Sequence, residues 1–99
     1  MNATEVKYQA CNLGYALLRN INDNFESVSF DILGKGDVQV KVVLTKRTPA
    51  EDEYIYDLTA EFAARQGIDC VLKPVVEVGN NITTLTHVVY RRAKPNVIL

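Results

Sequence analysis

Thr48-Pro49-Ala50-Glu51-Asp52-Glu53-Tyr54-Ile55-Tyr56-Asp57-Leu58, running on through Phe62 and closed by Gly67, reads as a helix with both ends written into its residues. Thr48 is placed to accept a hydrogen bond from the Glu51 amide while the Glu51 carboxylate reaches back to the Thr48 amide. Pro49 takes the early position at which a missing N–H costs nothing, and Gly67 supplies the left-handed residue that stops the helix. Ile55, Leu58 and Phe62 recur at steps of three and four, which is one apolar stripe, with Ala60, Ala63 and Ala64 permitting close approach.

Upstream, Val6, Ala10, Leu13, Leu17 and Ile21 keep the same helical spacing, so a first helix is expected from Thr4 to about Asn20. Asn20, Asn22, Asp23 and Asn24 end it, because short polar side chains compete for backbone hydrogen bonds and tolerate turn geometry. The period then changes to two. Val28, Phe30 and Ile32 alternate with Ser27, Ser29 and Asp31, and after Gly34-Lys35-Gly36-Asp37 the run Val38, Val40, Val42 and Leu44 alternates with Gln39, Lys41, Val43 and Thr45. Two strands joined by a glycine turn follow from that alternation. Gly34-Lys35-Gly36 lacks the full glycine fingerprint and sits between two strands, so it is not read as a phosphate loop.

Downstream of Gly67, Ile68 to Val78 and Ile82 to Arg92 read as two more strands. Gly79-Asn80-Asn81 between them suggests a second hairpin, since these residues tolerate the positive φ of tight turns. Pro74 cannot donate to a ladder, which marks a bulge or an edge position. The expected order is α-β-β-α-β-β in one α+β domain covering residues 1–99. The economical arrangement is a two-layer sandwich: a four-stranded antiparallel sheet with both helices on one face. The other face would be open to a partner or to a second copy of the chain.

Composition agrees with a globular domain, at 47% hydrophobic and 23% charged residues. A formal net charge of −1 argues against the broad positive field of a dedicated nucleic-acid binder. The residues from Met1 to Lys7 lack the basic start and apolar run of a signal peptide, and no apolar stretch has the length of a membrane span, so a cytoplasmic location is expected. Cys11 and Cys70 are too few for a disulfide framework or a thiolate metal site, and no cofactor motif is present.

Four groupings of residues bear on function. The capped helix carries five of the twelve acidic residues, and Glu53, Asp57 and Glu61 fall on one row at steps of four. Tyr54 and Tyr56 flank that row, and exposed tyrosine beside carboxylates suits an interface, its ring burying area with few rotatable bonds. A single helix face seldom makes a magnesium or calcium site, so no metal is assigned to the row. Lys41, Lys73, Tyr90, Arg91 and Arg92 form the alternative: basic groups with an aromatic on an open sheet face, which would hold a nucleic acid. Cys70 and His87, placed on adjacent strands by the second hairpin, would mark a small-molecule or enzymatic pocket, but no oxyanion site or third group accompanies them. Finally, the apolar end Val97-Ile98-Leu99 is expected to dock on its own sheet or on a second subunit, and a homodimer through that tail or the open face is compatible with both.

These features favour a non-enzymatic module that binds a protein with a basic surface through Glu53, Tyr54, Tyr56, Asp57 and Glu61. A regulator, inhibitor, immunity or antitoxin-like protein is the expected class.

Overall fold

The computed structural model describes residues 3–33, 37–66, 71–80 and 82–92. The elements run α1 (Ala3–Leu17), β1 (Phe25–Ile32), β2 (Val38–Leu44), α2 (Pro49–Gln66), β3 (Val75–Val78) and β4 (His87–Arg91). Gly34-Lys35-Gly36, Gly67, Cys70, Asn81 and the tail Lys94–Leu99, each given a role above, lie outside the described residues.

Both helices share one core with the sheet. Leu13, Ala16 and Leu17 of α1 and Ile55, Leu58 and Phe62 of α2 are buried in a single cluster with Val28 and Phe30 of β1 and Val38, Val40, Val42 and Leu44 of β2. Those strand residues face one another across the ladder, Val28 opposite Val42 and Phe30 opposite Val40, so the alternation read from the sequence selects the helix-bearing face. α1 ends three residues before Asn20. The Asn20 side chain instead turns back to donate to the Ala16 carbonyl at 2.7 Å, which satisfies one of the carbonyls a helix end leaves without a partner.

The α+β class, the two helices and the number of strands are as expected, but β3 and β4 are shorter than the runs Ile68 to Val78 and Ile82 to Arg92, and the sheet is mixed, not antiparallel. Its strand order is β3-β2-β1-β4, with β1 antiparallel to both neighbours and β3 parallel to β2. The expected second hairpin does not exist: β3 and β4 occupy opposite edges. The reason lies in α2. A helix of 18 residues returns the chain to the start of β2, and the next strand then runs alongside β2 in the same direction, as a β-α-β crossover requires.

From the end of β3 the chain must cross the sheet to reach β4, and it does so over the face without helices. Gly79 makes the reversal at φ 146°, and a Cβ there would come within 3.1 Å of the Ile82 side chain, so glycine is required. The crossing segment is pinned by side chains of β1: the Leu85 amide donates to Ser29 Oγ at 2.9 Å and the Thr86 amide to Asp31 Oδ1 at 3.1 Å. Beneath it Ser29 and Val43 are 0% exposed. The second face is therefore strapped over its middle, and the open platform expected there is not present. Pro74 stands in the irregular run before β3, itself an edge strand, where its missing N–H disturbs no ladder.

Candidate functional site

The start of α2 is built as a tie between elements. The Thr48 amide donates to Glu51 Oε1 at 2.7 Å, the back-reaching half of a capping box, and the Thr48 hydroxyl donates to the same oxygen at 2.6 Å instead of accepting from the Glu51 amide. Asn22, in the turn after α1, donates to the other carboxylate oxygen at 2.7 Å. Glu51 is 1% exposed, so this acidic residue belongs to the interior, unlike its neighbours on the helix. The Thr48 hydroxyl, then Asn22, then Asn24 and the Thr48 amide hold its carboxyl down at about 2 against an ordinary 4.5, outweighing the burial that opposes ionisation.

With α2 held at that end, its remaining faces have fixed directions. At 100° per residue, Tyr54 and Glu61 point toward α1 on one side of the buried stripe. Glu53 and Asp57 point outward beyond them. Thr59, Asp52, Ala63 and Tyr56 take the opposite flank, toward β3. The structure bears this out in its contacts. Asn20 at the end of α1 donates to Glu61 Oε2 at 3.0 Å, and Arg65 lies 4.5 Å over the Tyr15 ring of α1. Tyr54 is half-buried, its ring meeting Phe25 edge to face at 6.5 Å.

Glu53, Tyr54 and Asp57 come together with Ala50 around a small cleft of about 200 Å³. Glu61 continues the row but is engaged with Asn20, and Tyr56 is elsewhere. At 74% exposed, Tyr56 stands on the other flank, on the wall of a larger groove of about 630 Å³ between α2 and β3. Ile55, Ala60, Ala63, Pro74 and Val76 give that groove its apolar lining, with Lys73 in the wall and the Arg47–Asp52 ion pair, 2.7 Å, beside it. The five residues taken above as one binding face thus divide between a cleft, a junction with α1 and a separate groove.

The basic set does not converge. Lys41 is 8% exposed and pairs with Glu77 at 3.6 Å under the strap. Tyr90 lies opposite Val28 and packs on the core side, whereas the alternation in β4 was expected to turn it away from the helices. A bulge in the β1–β4 pairing, with Val89 as the extra residue, shifts the phase between Val88 and Tyr90. Arg91 and Arg92 are exposed at the β4 edge, and Lys73 is exposed at the β3 side of the sheet. His87 stacks on Phe30 at 5.1 Å between centroids, and neither cavity includes it in its wall. The second hairpin that was expected to set Cys70 beside His87 is replaced by β3 and β4 at opposite edges, and Cys70 itself lies outside the described residues. Among the described residues, no group of three or more His, Cys, Asp or Glu gathers to hold a metal ion, and no helix is long and apolar enough to cross a membrane.

Several participants escaped the sequence reading: Asn20, Asn22, Ser29 and Asp31 act through partners 29 to 56 positions away. Only Glu51 carried a local signal, its capping-box spacing from Thr48. Compared with known proteins, the chain matches no family model and no curated sequence.

Proposed function

We propose that this chain is a non-enzymatic protein-binding module, of regulator, inhibitor, immunity or antitoxin-like type, whose α2 cleft receives a lysine or arginine side chain from a partner with a basic surface. The observation that carries the reading is the cleft of about 200 Å³ walled by Glu53, Tyr54, Asp57 and Ala50. Glu53 and Asp57 are one helical turn apart, and like charges at that spacing oppose one another by about 0.2–0.5 kcal/mol. A cation between them removes that cost and gains two charge-assisted hydrogen bonds. Tyr54, held by Phe25, offers a ring to the same cation. The cleft suits one long basic side chain better than a whole ligand, and Glu61 extends the negative row toward α1.

A short arginine-containing peptide, titrated into the labelled protein and followed by amide chemical shifts, tests this. Shifts should concentrate at Ala50–Asp57, weaken with added salt, and vanish in the Glu53→Gln/Asp57→Asn double variant. Shifts spread evenly over the surface, or unchanged in that variant, would refute it.

A further inference from the structure

The groove on the other flank of α2 lies beside a feature that helices alone do not explain. β3 is one of the two edge strands of the sheet, and its four residues Val75-Val76-Glu77-Val78 are apolar apart from Glu77, with no proline to bar a further strand from pairing. Val75 and Val78 are 41% and 49% exposed. The groove meets that edge at Val76 and at Lys73 and Pro74 just before the strand, and the largest exposed side chain on its wall is Tyr56.

We infer that the groove and the β3 edge are a self-association surface, in which a second copy of the chain pairs its β3 antiparallel to the first and seats its Tyr56 in the first copy's groove. The occupant follows from complementarity within this one surface. A two-fold operation requires that every projection meet a recess of the same chain. Tyr56 is the projection; Ala60 and Ala63, small and on the same wall, are the recess. Because α2 runs antiparallel to β2 and β3, the two-fold sets the N-terminal half of one α2 beside the C-terminal half of the other.

Charge follows the same sense. Lys73 lies at the end of the groove where β3 begins, and Asp52 lies at the other end, in the first turn of α2, half-exposed and engaged through Oδ1 alone with Arg47, so that its second oxygen is the acceptor offered to a further cation. The two-fold brings each Lys73 toward the Asp52 end of the opposite copy. Strand register is constrained as well, since residues opposite one another in an antiparallel pair share a face. Centring the axis on Val76 sets Val75 against Glu77 of the other copy and keeps the two Glu77 carboxylates apart. Centring it on Glu77 would oppose like charges. The result is an eight-stranded sheet with the two α2 helices side by side. The Glu53–Asp57 cleft stays on the outward flank, so this surface is separate from the one proposed above.

Sedimentation equilibrium of the full chain from about 1 to about 100 μM tests the inference. The mass should rise with concentration toward twice 11.1 kDa. Tyr56→Ala and Ala60→Glu, both at exposed positions, should each raise the dissociation constant at least about tenfold, as loss of an interface anchor does. Lys73→Glu should also weaken the dimer, and adding Asp52→Lys should restore it. Glu53→Gln/Asp57→Asn should leave it unchanged, which separates this outcome from that of the cleft. A chain monomeric throughout, or a dimer indifferent to Tyr56→Ala and Ala60→Glu, overturns the inference. Far-UV circular dichroism confirms the fold of each variant, and Tyr56→Ala decides should Ala60→Glu unfold.

Discussion

Replacing Ser29 by alanine should release the strap that closes the second face of the sheet. Ser29 is 0% exposed, and its hydroxyl accepts the Leu85 amide at 2.9 Å. Alanine removes the acceptor and leaves that amide desolvated without a partner, a penalty of about 1–3 kcal/mol. The amide side of the bond is only partly buried, so water can reach it after a small shift, and about 1–2 kcal/mol is the expected loss. For a domain of this size 1 kcal/mol moves Tm by about 4–8 °C, so a fall of about 4–16 °C should be seen. Asp31→Ala, at the more exposed second clamp, should cost less than about 1 kcal/mol. Because both clamps hold one segment, the double variant should lose less than the two single losses combined, the second bond being worth little once the first has gone. Urea melts give the free energies. Hydrogen exchange gives their location, with the Leu85 and Thr86 amides losing protection while those of β1 and β2 keep it. A Ser29→Ala protein with Tm within about 2 °C of the parent and a protected Leu85 amide would show that the segment is held by something else.

Acid should weaken the tie at the start of α2. The Glu51 carboxyl is held at about 2 in the folded chain against an ordinary 4.5, so the stability it contributes is complete above about pH 4.5 and is lost as pH falls toward 2. Glu51→Gln should lower stability at neutral pH and flatten the Tm profile across that window; an unchanged profile would place the acid-sensitive group elsewhere. Phe62→Ala, at a position 0% exposed between α2 and the sheet, should cost about 3–5 kcal/mol in a denaturant melt, with Leu58→Ala close behind. Lys41→Met should change stability by no more than about 1 kcal/mol in either direction, because it exchanges a buried ammonium for an apolar chain of similar length. It leaves Glu77, whose side chain is 46% exposed, to be rehydrated, and a loss of several kcal/mol would mean that the pair carries more than its geometry indicates.

The legible parts of this chain are those whose signal is local. Ile55, Leu58 and Phe62 announced the buried stripe of α2, and Val28, Phe30, Val40 and Val42 announced the core face of the hairpin, because helical and strand periods are properties of neighbouring residues. The Thr48–Glu51 spacing announced the cap. By contrast, Gly79-Asn80-Asn81 looked like a hairpin turn and is the start of a crossing. A glycine with positive φ serves both, and nothing within three residues says whether the next strand comes back alongside or passes to the far edge. The outward orientation expected for Tyr90 failed for a similar reason. One extra residue, Val89, in the pairing with β1 inverts the alternation beyond it. On α2 the row of Glu53, Asp57 and Glu61 was visible from spacing, but its division between a cleft and the Asn20 junction was not, since that depends on where α1 ends.

The sequence by itself determined the order of the elements and the apolar faces of α1, α2, β1 and β2, because those depend on propensity, period and caps acting over one or two turns. Only the tertiary structure decided that β3 runs parallel to β2, that the residues after Gly79 cover the second face, and that Lys41 and Glu51 are interior. Those outcomes rest on chain crossing and on hydrogen bonds between residues far apart in sequence, such as Ser29 with Leu85 and Asn22 with Glu51. Strand pairing across long connections is chosen by which arrangement buries the most apolar surface and leaves the fewest polar groups unpaired, a choice the whole chain makes together. The helix from Thr48 is the meeting point of the two. Its cap was readable from its own residues, and what each of its flanks faces was settled only by α1 on one side and the β3 edge on the other.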